Sequence, residues 1–245
     1  MRIKSVLLCL SAAAAFGSSF ANATPILVNG NFESTTNGGN KQLSSHVTDR
    51  TDRTTLTGWT SSNGNDGGYN FVLDSAIANT WDSAIWLRDN GNGYSTSPGG
   101  GNVFASDALY WPGVLSQTVT GLTIGKAYTL TFDYAMAQQT GFSGANKDNF
   151  WEVGFGKSTQ NSALLNLEDG GFSGWKTASM TFTATSVSEV LSFLAKGTAP
   201  GAPPFMLLDD VALASDVPEP ATWTMLLGGL GLLAFLARRR LAAQA

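Results

Sequence analysis

Few side chains in this sequence are equipped for covalent or acid–base chemistry. There is one histidine, His46, and one cysteine, Cys9. A Ser-His-Asp or Cys-His site would depend on His46 alone, which sits in a polar stretch, and there is no Gly-x-Ser-x-Gly elbow. Zinc would lack its usual imidazole and thiolate ligands. A glycosidase needs two carboxylates across a cleft. Glu152, Glu168 and Glu189 are available, but no spacing marks a pair. The sequence therefore reads as non-catalytic, with an envelope hydrolase as the weaker alternative.

Two other groups of residues are better placed. Glu33 closes the stretch Leu27-Val28-Asn29-Gly30-Asn31-Phe32-Glu33, and Asp209 sits in Leu207-Leu208-Asp209-Asp210-Val211-Ala212-Leu213. Alternation places Asp209 on the inward face with Leu207, Val211 and Leu213, and Asp210 outward. A buried, unpaired carboxylate is costly. A calcium ion held by Glu33, Asp209 and nearby backbone carbonyls would neutralise it with hard oxygen ligands. The competing reading makes both acids solvated strand ends, or lets one bond a loop backbone. The second group is aromatic. Tyr110-Trp111-Pro112 follows Asp107 in a turn, and Trp81, Trp86 and Tyr94 flank loops. Exposed rings of this kind stack on the C–H faces of sugars, with Asp107 and Gln117 as polar contacts to hydroxyls. Trp59, Trp151 and Trp175 lie on strand patterns and belong to the core. Core or edge packing is the competing role for each loop aromatic.

The elements that must position these residues are strands. Glycine, threonine, serine and asparagine abound, and no long stretch has helical periodicity. Short alternating runs separated by Gly/Asn/Pro turns indicate an all-β sandwich of jelly-roll type. The runs are Ile26–Val28, Gly58–Thr60, Phe71–Leu73, Ala84–Leu87 and Asn102–Ala105. They continue with Leu115/Gln117/Val119, Tyr128/Leu130/Phe132/Tyr134, Trp151/Val153/Phe155 and Met180/Phe182/Ala184. Leu191/Phe193/Ala195 and Phe205–Leu213 complete the set. That gives roughly eight to ten strands, with loops too short for βαβ crossovers. Ser34–Thr55, Ser61–Asn70, Gly91–Gly101 and Gln138–Asn149 read as loops. Gly91–Gly101 lacks the lysine of a phosphate-binding loop.

The ends carry different information. Met1-Arg2-Ile3-Lys4, the apolar Val6–Phe16 and Ala21-Asn22-Ala23 form a signal peptide over residues 1–23, cleaved before Thr24. Cys9 leaves with it, so the exported chain has no thiol. At the other end Pro218-Glu219-Pro220 lies in a linker over 216–220. The uncharged Ala221–Ala237 follows, at the short end of what spans a bilayer, and then the basic segment 238–245 with Arg238, Arg239 and Arg240. The sandwich occupies 24–215, roughly 190 residues, enough for one core. The leader and the three arginines hold five of the 14 basic residues and none of the 18 acidic ones. The exported part is left with 9 against 18, a net charge of −9. That excludes nucleic acid and disfavours anionic lipid, and suits calcium or neutral glycans.

The C-terminal arrangement resembles the PEP-CTERM sorting tail of exported proteins in Gram-negative bacteria that make exopolysaccharide. The resemblance implies exosortase as the partner that reads the tail. It also implies an inner-membrane-anchored intermediate that passes to the cell envelope, surface or extracellular matrix. The two terminal motifs resemble the end strands of galactose-binding-like jelly rolls, including many carbohydrate-binding modules. That resemblance implies a structural calcium held by Glu33 of Asn-Gly-x-Phe-Glu and by Asp209 of Asp-Asp-Val, with Asp210 as a further candidate. The combined expectation is a non-catalytic, exosortase-sorted protein that binds exopolysaccharide or another glycan. The alternative is a surface or biofilm matrix protein without a specific ligand.

Overall fold

The computed structural model describes residues 26–64, 66–198 and 200–215. The signal peptide, the Pro-Glu-Pro linker and the apolar tail helix expected from the sequence lie outside them. The described chain is all β. Its strands are β1 (Lys41–Leu43), β2 (Arg53–Thr54), β3 (Thr60–Ser62), β4 (Asn70–Asp74), β5 (Asn102–Asp107), β6 (Val114–Thr120) and β7 (Ala127–Gln138). They continue as β8 (Asn146–Phe155), β9 (Ser158–Asn161), β10 (Leu165–Leu167), β11 (Lys176–Thr183), β12 (Ser188–Lys196) and β13 (Pro204–Ser215). One sheet runs β11-β7-β13-β5-β4-β1-β2, and the other runs β10-β8-β12-β6-β3 with β9 on β8. From β5 onward the chain passes repeatedly between sheets, as in a jelly-roll-like sandwich. Among the described residues, only β1 and β2 pair in parallel.

The inner faces meet as alternation predicts. Tyr128, Leu130, Phe132 and Tyr134 of β7 face Leu115 and Val119 of β6, Trp151, Val153 and Phe155 of β8, and Leu191 and Phe193 of β12 across one buried core. Tilted and edge-on ring contacts link Phe32, Trp59, Phe104, Phe132, Trp151 and Phe193. A second, smaller core covers the outer face of the seven-stranded sheet. There Phe71, Leu73, Val103, Ala105, Ala135, Phe205 and Leu207 pack under Ala78, Ile85 and Leu87 of the long 75–101 connection. This second layer explains why β4, β5 and the first half of β13 are apolar on both faces.

Several expected elements are absent or displaced. Ile26–Val28 forms no strand. Its backbone is held instead by the side chain of Gln117, which accepts from the Val28 N–H and donates to the Val28 carbonyl, both at 2.9 Å. Ala84–Leu87 is a turn-rich cover in which only Leu87 bridges to Gln139. Ile85 and Leu87 fill the outer core and need no ladder, while Ala84 and Trp86 are exposed. The polar stretch 34–55 contains β1 and β2, and the 138–149 connection is shortened by the ends of β7 and β8. Trp175 is half-buried at the edge of the outer core, and its indole N–H donates to the Ser95 carbonyl at 3.1 Å.

The most consequential departure is in β13. Asp209 pairs with Asp133, but the next matched pair is Ala212 with Thr131. Asp210 and Val211 therefore share one position opposite Phe132, a β-bulge with Asp210 at φ +48°. The bulge reverses the alternation. Asp209 lies with Phe205 and Leu207 toward the outer layer, whereas Val211 and Leu213 join Met206 and Leu208 in the inter-sheet core. A strictly period-two reading places Asp209, Val211 and Leu213 on one face, and the extra residue makes that incorrect.

Candidate functional site

The bulge creates a corner where three distant segments meet. The 29–32 turn closes with the Phe32 N–H donating to the Asn29 carbonyl at 3.2 Å, and the Gly30 carbonyl accepts the Val211 N–H at 2.9 Å. A Cβ on Gly30 would stand 1.9 Å from the Val211 carbonyl oxygen, so only glycine permits this approach. The opening segment and β13 thus meet as the sequence suggests, but across one backbone bond instead of a ladder.

Loop 95–102 supplies the third side. The Ser97 hydroxyl donates to Oδ2 of Asp209, and the Asp210 N–H donates to Oδ1 at 2.8 Å. Glu33 accepts the Asn102 N–H at 2.7 Å. A Cβ on Gly101 would meet Glu33 Oε1 at 2.0 Å, and one on Gly99 would meet Asp210 Oδ2 at 2.5 Å. Asp209 is 1% exposed. Burial pushes its carboxyl up to about 7. The Ser97 and Asp210 bonds oppose the shift, and the negative charges of Asp210 and Glu33 add to it. Glu33, Asp209 and Asp210 therefore do converge on one glycine-rich loop. Among the described residues, however, no group of three or more His, Cys, Asp or Glu side chains is spaced to hold a metal ion. Ser97, Gly99, Gly101 and Asn102 are the parts of this corner that the sequence reading missed. Gly91–Gly101 was legible as a loop, but nothing in its pattern pairs it with acids more than 60 residues away.

The aromatic residues are arranged at the end of the sandwich where β5 leaves one sheet and β6 enters the other. Tyr110 is 58% and Trp111 69% exposed. Their rings lie 6.1 Å apart with their planes within 17° of parallel, a loosely stacked pair. The loop beneath is fixed from several directions. Oδ1 of Asp107 accepts the N–H groups of Leu109 and Tyr110 at 2.9 and 3.0 Å. Asn70 donates to the Gly113 carbonyl at 2.9 Å, and Asn63 to that of Pro112 at 3.0 Å. The Trp111 carbonyl accepts the Tyr69 N–H at 2.8 Å, and the Tyr69 ring meets Tyr110 edge-on at 5.2 Å. Trp111 itself takes φ +48°.

Two residues expected to contact a glycan have other roles. Asp107 is buried, which raises its carboxyl, and its oxygen is spent on the turn. Gln117 is buried and committed to Val28. Both are polar residues on otherwise apolar strand faces, and backbone partners account for them. Trp86 is partly exposed, with its indole N–H bound to the Asn79 carbonyl at 3.0 Å, and it makes no ring contact with Tyr110 or Trp111. His46 is exposed and bonds the Ser45 hydroxyl at 3.1 Å.

Comparison with known proteins gives the following similarities. The carbohydrate-binding module TmCBM61, solved with β-1,4-galactotriose, is 15% identical over 79% of this chain and 100% of its own, with a TM-score of 0.41. A CBM4 module is 16% identical over 78% of this chain and 99% of its own, at 0.33. The CBM22-1 xylan-binding domain from Paenibacillus barcinonensis is 15% identical over 64% of this chain and 85% of its own, at 0.34. Halomucin of Haloquadratum walsbyi is 28% identical over 213 residues, 86% of this chain. The chain spans 2% of the length of that relative. Residues 216–240 match the PEP-CTERM protein-sorting motif, so the chain carries that sorting signal at its C-terminus.

Proposed function

We propose that this is an exported, exosortase-sorted protein of the cell envelope or matrix whose sandwich binds polysaccharide through Tyr110 and Trp111. The observation that carries this reading is the exposed, near-parallel ring pair on a loop immobilised by Asp107, Asn70 and Asn63. Exposing two large aromatics costs hydrophobic burial, and fixing them in advance removes the entropy cost of ordering them on binding. A ring face accepts the C–H face of a neutral sugar without needing charge, which suits a domain of net negative charge. The sorting motif supports export and anchoring before processing by exosortase.

A structural calcium at the bulge corner belongs to the same proposal. The donors are hard oxygens: Glu33, Asp210 or Asp209, completed by backbone carbonyls of the 29–33 and 97–102 segments. Calcium accepts such mixed, flexible sets, whereas zinc does not. The bound ion would supply positive charge where three carboxylates converge. The chain's own groups fix the corner around it: Ser97 orients Asp209, the Asn102 N–H orients Glu33, and Gly99 and Gly101 leave room for Asp210 and Glu33.

Glycan-array screening followed by calorimetry of the full-length protein tests the binding proposal. Binding to a polysaccharide that drops at least about tenfold in Trp111→Ala, a loss of ~1.4 kcal/mol, supports it. Binding indifferent to both Trp111→Ala and Tyr110→Ala refutes the platform. No binding to any glycan favours a matrix protein without a specific ligand.

A further inference from the structure

We propose that the end of the sandwich from which the sorting tail departs is itself a membrane-contacting surface, seated on the bilayer through the exposed tips of the 121–125 and 184–188 turns. The inference rests on the sorting motif and on the position of Ser215. This residue ends β13 and pairs with Tyr128 at the start of β7, and Tyr128 pairs on its other side with Phe182 near the end of β11. The two turns lie beside it. The Gly125 N–H donates to the Ala184 carbonyl at 2.8 Å, and the Leu122 N–H to the Val187 carbonyl at 3.1 Å, so the tips are bonded to each other. Each tip holds an outward aliphatic side chain, Ile124 at 63% and Val187 at 60% exposed.

Charge around these tips is permissive for a bilayer. Glu189 is the acidic residue of this turn pair. Its Oε1 accepts the Thr185 N–H, the Thr185 hydroxyl and the Ser186 N–H at 2.8–2.9 Å, and its carboxyl is buried. The hydroxyl bond from Thr185, aided by the two N–H groups and Lys157, holds it below the usual glutamate range. Lys126 flanks the tips immediately before β7, and Lys157 lies on the β8–β9 turn. A domain with a large acidic excess thus presents aliphatic tips and two lysines where its chain leaves toward the tail.

Chain length commits the occupant. Six steps separate Ser215 from Ala221, where the uncharged tail segment starts, and a fully extended chain covers at most about 3.6 Å per step. The domain end is therefore held within roughly 20 Å of the bilayer surface whenever the tail is inserted. At that range, shallow insertion of aliphatic tips between lysines is the ordinary mode of interfacial contact.

Spin labelling of the full chain tests this. In a Cys9→Ser background, single labels are placed at Ile124→Cys, Val187→Cys, Thr198→Cys at the opposite end, and Leu230→Cys in the tail. The proteins are reconstituted in vesicles of phosphatidylcholine and phosphatidylglycerol. The expected result is a ratio of oxygen to nickel-chelate accessibility several-fold higher at 124 and 187 than at 198, with 230 highest. Labels at 124 and 187 as water-accessible as that at 198, beside a lipid-exposed 230, overturn the proposal while leaving the anchor intact. A water-exposed 230 overturns the anchoring and the proposal with it. Ile124→Asp with Val187→Asp provides a second measurement. Unchanged accessibility of a Thr123→Cys label in that double variant would equally refute insertion of the tips.

Discussion

Neutralising Asp209 should stabilise the calcium-free protein above neutral pH. Its carboxyl is raised, so the folded protein keeps this proton at pH values where the unfolded chain has released it. The folded state binds more protons between about pH 4 and pH 7, and this group's contribution to stability falls across that window as pH rises. A carboxyl pushed up to about 7 from the ordinary aspartate range costs on the order of 4 kcal/mol once ionised. For a domain of this size that corresponds to a Tm difference of roughly 10 °C. Carboxylates whose values are lowered, such as Asp169 and Asp52, act in the opposite sense, but their contribution is complete before pH 5. Asp209→Asn keeps an oxygen for the Asp210 N–H and an amide for the Ser97 hydroxyl, and removes the charge. The assay is thermal unfolding of wild type and Asp209→Asn at pH 5 and pH 8, each in chelator and in millimolar calcium. In chelator the wild type should lose stability from pH 5 to pH 8 while the variant stays flatter, crossing above it by pH 8. Calcium should raise the wild-type Tm more at pH 8 than at pH 5, because a cation favours the ionised carboxyl. Parallel pH slopes in chelator would refute the buried-charge reasoning. Equal calcium shifts in both proteins would remove Asp209 from the ion's surroundings.

Other substitutions separate the parts of the two sites. Trp111→Ala should abolish most glycan affinity in calorimetry with a Tm within a degree or two of wild type, since the ring is exposed. Asp107→Ala releases the Leu109 and Tyr110 N–H groups and should cost about 1–3 kcal/mol in denaturant unfolding, with a parallel loss of binding; Asp107→Asn, which keeps the acceptor, should restore both. Gly30→Ala drives a methyl group onto the Val211 carbonyl and should lower Tm more than Gly101→Ala, whose clash is with the movable end of Glu33. Gln117→Leu should cost about 1–3 kcal/mol by stranding both polar groups of Val28.

The sequence revealed most where one rule governed a stretch. On β7, period-two patterning of β-prone residues placed Tyr128 through Tyr134 in the core without ambiguity. On β13 the same rule worked up to Asp209 and then failed, because one extra residue in a bulge leaves no compositional mark. Asp210 is a residue type that tolerates the left-handed region, and in hindsight that was the available cue. Ala84–Leu87 looked like a strand because an apolar run signals burial before it signals backbone conformation. Here the burial is supplied by the outer face of a sheet, which no local window can see. Asp107 and Gln117 read from the sequence as polar contacts to sugar hydroxyls, whereas the fold commits both to backbone groups. Their bonds to backbone at Tyr110 and Val28 depend on chain reversals that spacing does not encode.

These sites also give the molecule a direction. The ring platform follows the end of β5 and precedes β6, at the end of the sandwich where β4 begins and β13 begins. The tail departs from the last residue of β13, beside the first residues of β7. β13 therefore runs from the platform end to the tail end, and under the proposed function any pull between a bound polymer and an anchored tail would be carried along it. Beyond Leu208 this strand has β7 on one side but has run past its matched register with β5. The bulge corner lies at that transition, with the Gly30 carbonyl and the Ser97 hydroxyl bonded to β13 where the β5 ladder stops. A cation there would brace the strand at the point where its lateral support halves. On this argument, mechanical unfolding by force applied between residue 215 and the platform should respond to calcium more strongly than unfolding by force applied across β11 and β7. Equal calcium sensitivity in the two pulling directions would refute it.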